Sequence, residues 1–397
     1  MASSENTAPR KNIFYVGLLS FFGGISQEAF SPILPIYYTT VLGFDKTFVG
    51  IAEGLVTAGS YLMNVAAGYF SDRFKRQKPI IFIGYFLSMI SRPLLAVFPA
   101  APSVLALRSA DGIGKGIKDP PKDVVTAGSS EAGRRGRSFG IVRMLDTFGS
   151  VVGPLALFGL LYLLHERASV YRDILFLSAI PLVATLLILV LKVREVPSNG
   201  NGAISSTGVP VERLPRTFFF FLGIVLIFTL GNSSDAFLIL RAQNLGVTLL
   251  EIPLVVALYN LVYAAFAVPF GSLSDRIGRI PTIIIGWIVY ALVYLGFALS
   301  AHAALIWLFY GLYGVYYATN QGVIKAFLAD LVPAGHRGRA FGIYGTAVGL
   351  ATLLASAFAG FLWDHVGPEA PFCFGVVAAA VAIIVLAASA RRLEAAM

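Results

Sequence analysis

The sequence has few charged residues for its length. Of its 397 residues only 13% are Asp, Glu, Lys or Arg and 57% are apolar, compared with about 25% and roughly 45–50% in soluble domains. This composition excludes an ordinary soluble protein. Because a membrane-spanning helix needs ~20 apolar residues, the chain has room for twelve spans and their connections.

Cysteine and histidine are also scarce. Cys373 is the single cysteine, which excludes an intramolecular disulfide and a multi-cysteine metal cluster. The four histidines lie in loops or at the ends of apolar runs, at His165, His302, His336 and His365. The sequence has no HExxH, GxSxG or Walker motif. We therefore expect no enzyme, no metal site, no cofactor and no ATP-driven pump.

Twelve long apolar runs follow one another, six on either side of a polar segment. They predict an all-α membrane protein with spans near residues 13–40, 48–71, 79–98, 102–126, 138–164, 174–191, 217–240, 248–274, 282–300, 304–331, 340–363 and 372–390. Residues 192–216 are rich in Gly, Pro, Ser and Asn, which is typical of a linker. We expect residues 1–191 and 217–397 to form two six-helix bundles.

The net charge of +9 does not require nucleic acid as a partner. On the predicted map most lysines and arginines fall in loops on one side, and membrane proteins carry such an excess on their cytoplasmic side. The asymmetry predicts that both termini are cytoplasmic. We expect a multi-pass monomer in the bilayer of the cell inner membrane.

The two halves share short motifs. GYFSDRFKR at residues 68–76 recurs as GSLSDRIGR at 271–279, and GRSFGI at 136–141 recurs as GRAFGI at 338–343. A weaker similarity aligns Glu28 in GGISQEAF with Asp235 in LGNSSDAF. Two parallel six-helix repeats are one of the known transporter designs, with the substrate site between them near the membrane midplane.

These motifs resemble those of the major facilitator superfamily over the whole chain. The loop motif after the second span is matched by Gly68, Asp72, Arg73 and Arg76 and, in the second half, by Gly271, Asp275, Arg276 and Arg279. The fifth-span motif of the antiporter members is matched by Gly140, Gly149, Gly153 and Pro154, although its closing glycine pair is absent. The fourth span has Arg-x-x-x-Gly-x-Gly-x-Gly from Arg108, and GKGIKDPPKD at 114–123 is similar to a GKGIR-x-x-PRD signature of some bacterial members.

The resemblance implies two rocking bundles that transport a small solute. It also implies a gating role for the loop motif, in which Asp72 and Asp275 meet a neighbouring helix N-terminus or its bases and hold the cytoplasmic side closed. The first copy departs from the family pattern, because Lys75 replaces a glycine. The alternative is a surface ion pair that only fixes topology.

A stripe of charged residues lies within the fourth span. Its members step by three or four positions, which places them on one helix face, and they are Arg108, Asp111, Lys115, Lys118 and Lys122. Such a stripe cannot face lipid. Facing a cavity, its cations would suit an anionic substrate with carboxylate or phosphate groups. Alternatively it neutralises itself, with Asp111 reaching Lys115 and Asp119 reaching Lys115 and Lys122.

Glu28 and Asp235 occupy equivalent positions in the first spans of the two halves. Ionisable groups inside a membrane are functional candidates because they are costly. A carboxyl group in a low-dielectric site takes up a proton readily, so it can load at one face and release at the other. We expect both acids to couple transport to protons, unless bases such as Arg92 or Lys325 pair with them.

Further candidates for the substrate cavity lie in the fifth and tenth spans. They are Arg143 and Asp146 in the fifth and Tyr313, Tyr317, Asn320 and Lys325 in the tenth. Aromatic rings with polar tips can line the cavity for an organic solute. A local ion pair is the alternative for Arg143 and Asp146, and helix packing is the alternative for the tyrosines.

The sequence thus predicts a secondary transporter of a small organic solute, with the proton as coupling ion. Export by antiport is the first choice because of the fifth-span motif and the membrane carboxylates. Proton-coupled uptake of an anionic solute or metal chelate is the second, because of the basic stripe. A non-transporting membrane sensor is the alternative from another class, but the sequence offers no soluble signalling domain.

Overall fold

The computed structural model describes residues 7–74, 76–130, 135–164, 169–195, 214–333 and 336–394, and all regular structure in them is helical. The first half contains α1 (Thr7–Phe30), α2 (Leu34–Ile36), α3 (Lys46–Phe74), α4 (Lys78–Val97), α5 (Ala101–Gly128), α6 (Arg135–Leu164), α7 (Val170–Leu177) and α8 (Ile180–Leu191). The second contains α9 (Arg216–Gly231), α10 (Ala236–Asn244), α11 (Ile252–Ile277), α12 (Arg279–Leu299), α13 (Ala303–Asp330), α14 (Arg337–His365) and α15 (Ala370–Glu394).

The predicted all-α membrane fold is confirmed. Ten helical segments of the described chain are long and apolar enough to cross a membrane, counting α1 with α2, α7 with α8, and α9 with α10 as single segments. The helices α5 and α13, of 28 residues each, complete the twelve and carry most of the polar candidates. The chain is a multi-pass membrane protein, and the side of its termini stays a prediction.

The described residues divide into two compact units. The first comprises those of Met1–Tyr37 and Leu55–Ala203, and the second those of Tyr38–Gly54 and Ile204–Met397. The start of α3 therefore packs within the second unit, where a Cβ on Gly54 would lie 2.8 Å from Leu353 Cα of α14. Asp364 of α14 accepts hydrogen bonds from the backbone N–H groups of Lys46 and Thr47 at 3.1 and 2.8 Å. Residues 196–213 of the predicted linker lie outside the described residues.

Three predicted spans are interrupted in the structure. The first continues from α1 through a 3-10 turn at Ser31–Ile33, where Pro32 lacks the N–H that an α-helix would use. The sixth is interrupted at Ser178 and Ala179, and the seventh between Gly231 and Ala236. Discontinuous helices expose backbone groups and are a recurrent feature of transporter binding sites.

Glycines of the fourth-span motif place α5 between two neighbours in the first unit. A Cβ on Gly112 would overlap the backbone of Val56 in α3, and one on Gly114 would lie 2.6 Å from Gly84 O in α4. The motif therefore alternates between two packing faces, which lets α5 approach both helices closely. This packing fixes the position of Arg108 and Asp111.

Replacement of Gly114 by Leu is expected to destabilise the protein by about 1–3 kcal/mol or more, because the added side chain has no space between α4 and α5. The measurement is thermal unfolding of purified protein in detergent. Gly159→Leu in α6 is the control, because no heavy atom lies within 4 Å of its added Cβ. Equal melting temperatures for the two variants would show that the close approach of α5 is not needed.

Candidate functional site

The first unit contains a buried group of charged side chains, which we call the Asp111 cluster. Asp111, 1% exposed, accepts a hydrogen bond from Arg108 Nη1 at 3.0 Å. Its carboxylate oxygens lie 3.5 Å from Lys115 Nζ and 3.8 Å from Arg92 Nη2. Three cations therefore surround one acid, and each has its desolvation offset by that carboxylate.

Arg92 is held by residues of α1. It donates hydrogen bonds to Ser26 Oγ and, at 3.1 Å, to Gln27 Oε1. Ser26 Oγ in turn donates to the backbone oxygen of Ser178, at the break between α7 and α8. The Phe30 ring centroid lies 4.1 Å from the Arg92 guanidinium carbon, a cation–π distance. The cluster is thus tied to α1, α4, α5 and the interrupted sixth span.

The predicted charged stripe of α5 separates into two groups. Asp119 pairs with Lys118 at 3.1 Å and with Lys122 at 3.3 Å. The Lys118 ammonium also lies 5.4 Å from the Tyr85 ring centroid. Two of the self-neutralising pairs predicted for the stripe, Asp111 with Lys115 and Asp119 with Lys122, are therefore formed.

Glycines of the fifth-span motif bring α6 against α1 at Glu28. A Cβ on Gly153 would lie 2.8 Å from Glu28 Cβ, and one on Gly149 would overlap the backbone of Phe21. Gly140 has no heavy atom within 4 Å of its Cβ position. Glu28 is half-buried and attracts Arg92 electrostatically. Glu28 therefore lies within electrostatic range of Arg92 in the Asp111 cluster, and both its proton-coupling role and its pairing with Arg92 stay predictions.

Arg143 and Asp146 form the local ion pair predicted as their alternative. The nitrogen and oxygen are 3.1 Å apart, with side chains 62% and 33% exposed. Asp146 also attracts Lys122 electrostatically, so the pair belongs with the second group of α5.

In the second unit the interrupted seventh span places Asp235 directly before the first residue of α10, at its N-cap position. Its carboxylate accepts hydrogen bonds from Tyr313 at 2.6 Å and from Tyr317 at 3.0 Å. The residues of the break, Asn232 to Asp235, are turn formers that compete with helical hydrogen bonding. Three residues that were predicted separately, one as a proton site and two as cavity tyrosines, thus form one site.

The rings around Asp235 belong to a larger group, which we call the tyrosine cluster: Tyr259, Tyr313, Tyr316 and Tyr317. Tyr259 and Tyr317 have ring centroids 5.2 Å apart, and Tyr316 and Tyr317 5.4 Å. Asn232 Nδ2 donates to Tyr316 OH at 3.0 Å. Tyr259, Tyr316 and Asn232 were not predicted as site residues, although Tyr316 directly precedes the predicted Tyr317 in α13.

Asn320 and Lys325 were predicted for the same cavity, and in the described part of the chain neither is bonded to Asp235. Asn320 is buried and donates a hydrogen bond to the backbone oxygen of Tyr316, at 3.0 Å within α13. Its Nδ2 atom would lie 2.5 Å from a Cβ added at Gly286 in α12. It therefore serves helix packing. Lys325 is exposed and follows Tyr317 by eight residues, about 12 Å of helix.

The second copy of the gating motif forms a compact ion network. Arg279 pairs with Asp275 at 2.6 Å and with Asp330 at 3.4 Å. The motif glycine Gly278 has φ +98°, a conformation that favours glycine and ends α11. Arg276 is exposed. A cavity of about 320 Å³ adjoins the network.

The first copy of the gating motif is only partly described. The backbone of α3 extends to Phe74, but the side chains of Asp72 and Arg73 lie outside the described part of the chain. Arg76 is exposed, and Gly68 has open space at its Cβ position. The gating role of this copy stays a prediction.

Comparisons with known proteins are consistent with this architecture. A family model described as Major Facilitator Superfamily matches residues 16–240 and 219–396. An MFS-type transporter of Methanocaldococcus jannaschii is 36% identical over 382 residues, 95% of this chain and 94% of that protein. The tetracenomycin C resistance and export protein of Streptomyces glaucescens is 32% identical over 152 residues, 38% of this chain and 28% of that protein. A solved variant of the nucleoside transporter NupG, 12% identical, has a TM-score of 0.78 over 97% of this chain and 99% of that one.

Proposed function

Because the chain belongs to the major facilitator superfamily of transporters, we propose that it exports a small organic solute across the cell inner membrane in exchange for protons. The proton is the coupling ion, and the solute moves by alternating access of a monomer whose termini are cytoplasmic. The proposal needs neither a cofactor nor nucleic acid.

The environment of Asp235 is the observation that supports proton coupling. Its carboxylate lies at a helix break and is held by two tyrosine hydroxyls. In the part of the chain that the structure describes, no Lys, Arg or His lies within ion-pair distance of it. An intramembrane acid without a cationic partner is a candidate for proton transfer. Glu28, beside Arg92, is the second candidate.

Export is supported by the fifth-span motif. Gly149 and Gly153 allow the close approach of α6 to α1 at Glu28, which joins the antiporter motif to a candidate proton site. One relative, similar over 38% of this chain, is named for the export of tetracenomycin C.

The Asp111 cluster favours a second candidate function, uptake of an anionic solute or metal chelate with protons. Its three cations share one acid within ion-pair distance. A carboxylate or phosphate on the solute would complete the charge balance of such a site. The two functions differ in the direction of proton movement relative to the solute.

Proteoliposomes loaded with the pH indicator pyranine test the direction. The solute is the compound that raises the melting temperature of the purified protein most, in a panel of organic cations, organic anions and chelates. Added outside at equal pH, it is expected to make the lumen more alkaline, because antiport moves protons out as solute enters. An acidified lumen would establish symport instead, and an unchanged lumen would disprove proton coupling.

A further inference from the structure

We propose that the second unit binds an organic cation, such as a protonated amine or a quaternary ammonium group, against Asp235 and the ring faces of Tyr259 and Tyr317. This inference rests on the proposed transport function, because it names the chemistry of the solute. A cation placed beside a carboxylate and over aromatic rings is attracted by the charge and by the ring quadrupoles.

The charge around Asp235 selects a cation. Glu53 of α3, which belongs to the same unit, acts on Asp235 as a second negative charge. The partly or wholly buried arginines of this unit are engaged elsewhere, since Arg241 pairs with Glu369 at 2.8 Å and Arg279 pairs with Asp275. The site is therefore acidic and aromatic, which disfavours an anion.

The rings of the tyrosine cluster differ in their exposure, since two are buried and two are half-buried. Tyr313 and Tyr316 are only 2% and 5% exposed and support the other two rings. Tyr259, Tyr317 and Asp235 are half-buried, so a ligand can reach them. Because the hydroxyls of Tyr313 and Tyr317 both donate to Asp235, they orient its carboxylate and leave further lone pairs for a ligand.

Two buried polar atoms on residues near the tyrosine cluster also point to a ligand. Asn232 Oδ1 and Tyr310 OH have no hydrogen-bond partner among the described residues. Asn232 is joined to Tyr316 through its amide nitrogen, and Tyr310 is 4% exposed and within electrostatic range of Asp235. Buried polar groups without a partner are uncommon in proteins, and a protonated amine, unlike a quaternary ammonium group, has an N–H that would satisfy the Asn232 oxygen.

A cavity in the same unit is lined by residues of the gating network and by Tyr263, a neighbour of the tyrosine cluster. Its volume is about 320 Å³, and its lining includes Tyr263, Gln321 and Asp275. The Tyr263 ring centroid lies 6.2 Å from that of Tyr317, so the cavity begins next to the tyrosine cluster. Asp275 and its partner Arg279 both line it, so the cavity supplies space for an organic group beside the cluster and adds no net charge from that pair.

Equilibrium dialysis of full-length protein in nanodiscs with radiolabelled tetraphenylphosphonium tests the inference. Saturable binding is expected, and Asp235→Asn should raise the dissociation constant roughly tenfold or more. Tyr259→Leu should raise it several-fold, whereas Tyr259→Phe keeps the ring face and should change it less than about twofold. Tetraphenylborate, of the same shape and opposite charge, should not displace the bound cation.

Glu394→Gln is the control, because it removes one exposed acid from the same unit and should bind like the wild type. The inference is overturned by no saturable binding, by displacement with tetraphenylborate, or by equal losses in Tyr259→Leu and Tyr259→Phe. If Asp235→Asn does not fold, the two Tyr259 variants decide. Binding without any pyranine signal would refute the proton coupling alone, and a pyranine signal without cation binding would refute the cation site alone.

Discussion

Asp235→Asn is expected to abolish solute-driven proton movement in pyranine-loaded proteoliposomes, at a solute concentration that saturates the variant. The amide keeps the size of the side chain and can still accept a hydrogen bond from one tyrosine, but it cannot exchange a proton. The lumen pH should therefore stay at the value recorded with protein-free liposomes.

Two other variants separate a loss of coupling from a loss of structure. Tyr317→Phe removes one of the two donors to Asp235 and leaves the Tyr313 hydroxyl in place, so it should slow proton movement without abolishing it. Glu394→Gln should behave like the wild type. A full proton signal from Asp235→Asn would place the coupling site elsewhere, with Glu28 as the next candidate to replace.

The charged stripe could be predicted because its residues share one helix. Steps of three and four residues along α5 determine which side chains are neighbours, and the pairs of Asp111 with Lys115 and of Asp119 with Lys122 follow from that spacing. Arg92 could not be assigned in the same way. It is an isolated charge within α4, and only the packing of α4 against α5 and α1 brings it to Asp111 and Ser26.

The site in the second unit shows where prediction from one sequence ends. Asp235, Tyr313 and Tyr317 were each identified, but as members of different groups, because periodicity does not relate one helix to another. The break at Asn232 was missed although its neighbours form a turn-rich segment, since the flanking apolar runs together have the length of one span. The break shapes the site, because it ends α9 before Asp235 and starts α10 after it.

Asp111→Asn is expected to destabilise the protein by about 3–5 kcal/mol, because it leaves three cations of the first unit without their shared carboxylate. The side chains of Arg108 and Asp111 are each only 1% exposed, so water cannot replace the lost charge. The measurement is thermal unfolding in detergent together with the yield of monodisperse protein.

Asp146→Asn provides a matched comparison for this effect. Arg143 and Asp146 have the same three-residue spacing as Arg108 and Asp111. The distance from Nη1 to Oδ2 is 3.1 Å in the first pair and 3.0 Å in the second, but the side chains of Arg143 and Asp146 are 62% and 33% exposed. An exposed pair contributes about 0–1 kcal/mol, so Asp146→Asn should be nearly neutral.

Removing Arg108 as well should partly restore an Asp111 variant. Asp111→Asn with Arg108→Met leaves one fewer uncompensated cation, so the double variant should melt above Asp111→Asn alone, which is the non-additivity expected of coupled residues. If Asp111→Asn and Asp146→Asn instead cost the same small amount, water must reach the cluster. The fourth span would then line an open cavity, as the first prediction for the stripe required, and its cations would be available to an anionic group of the solute.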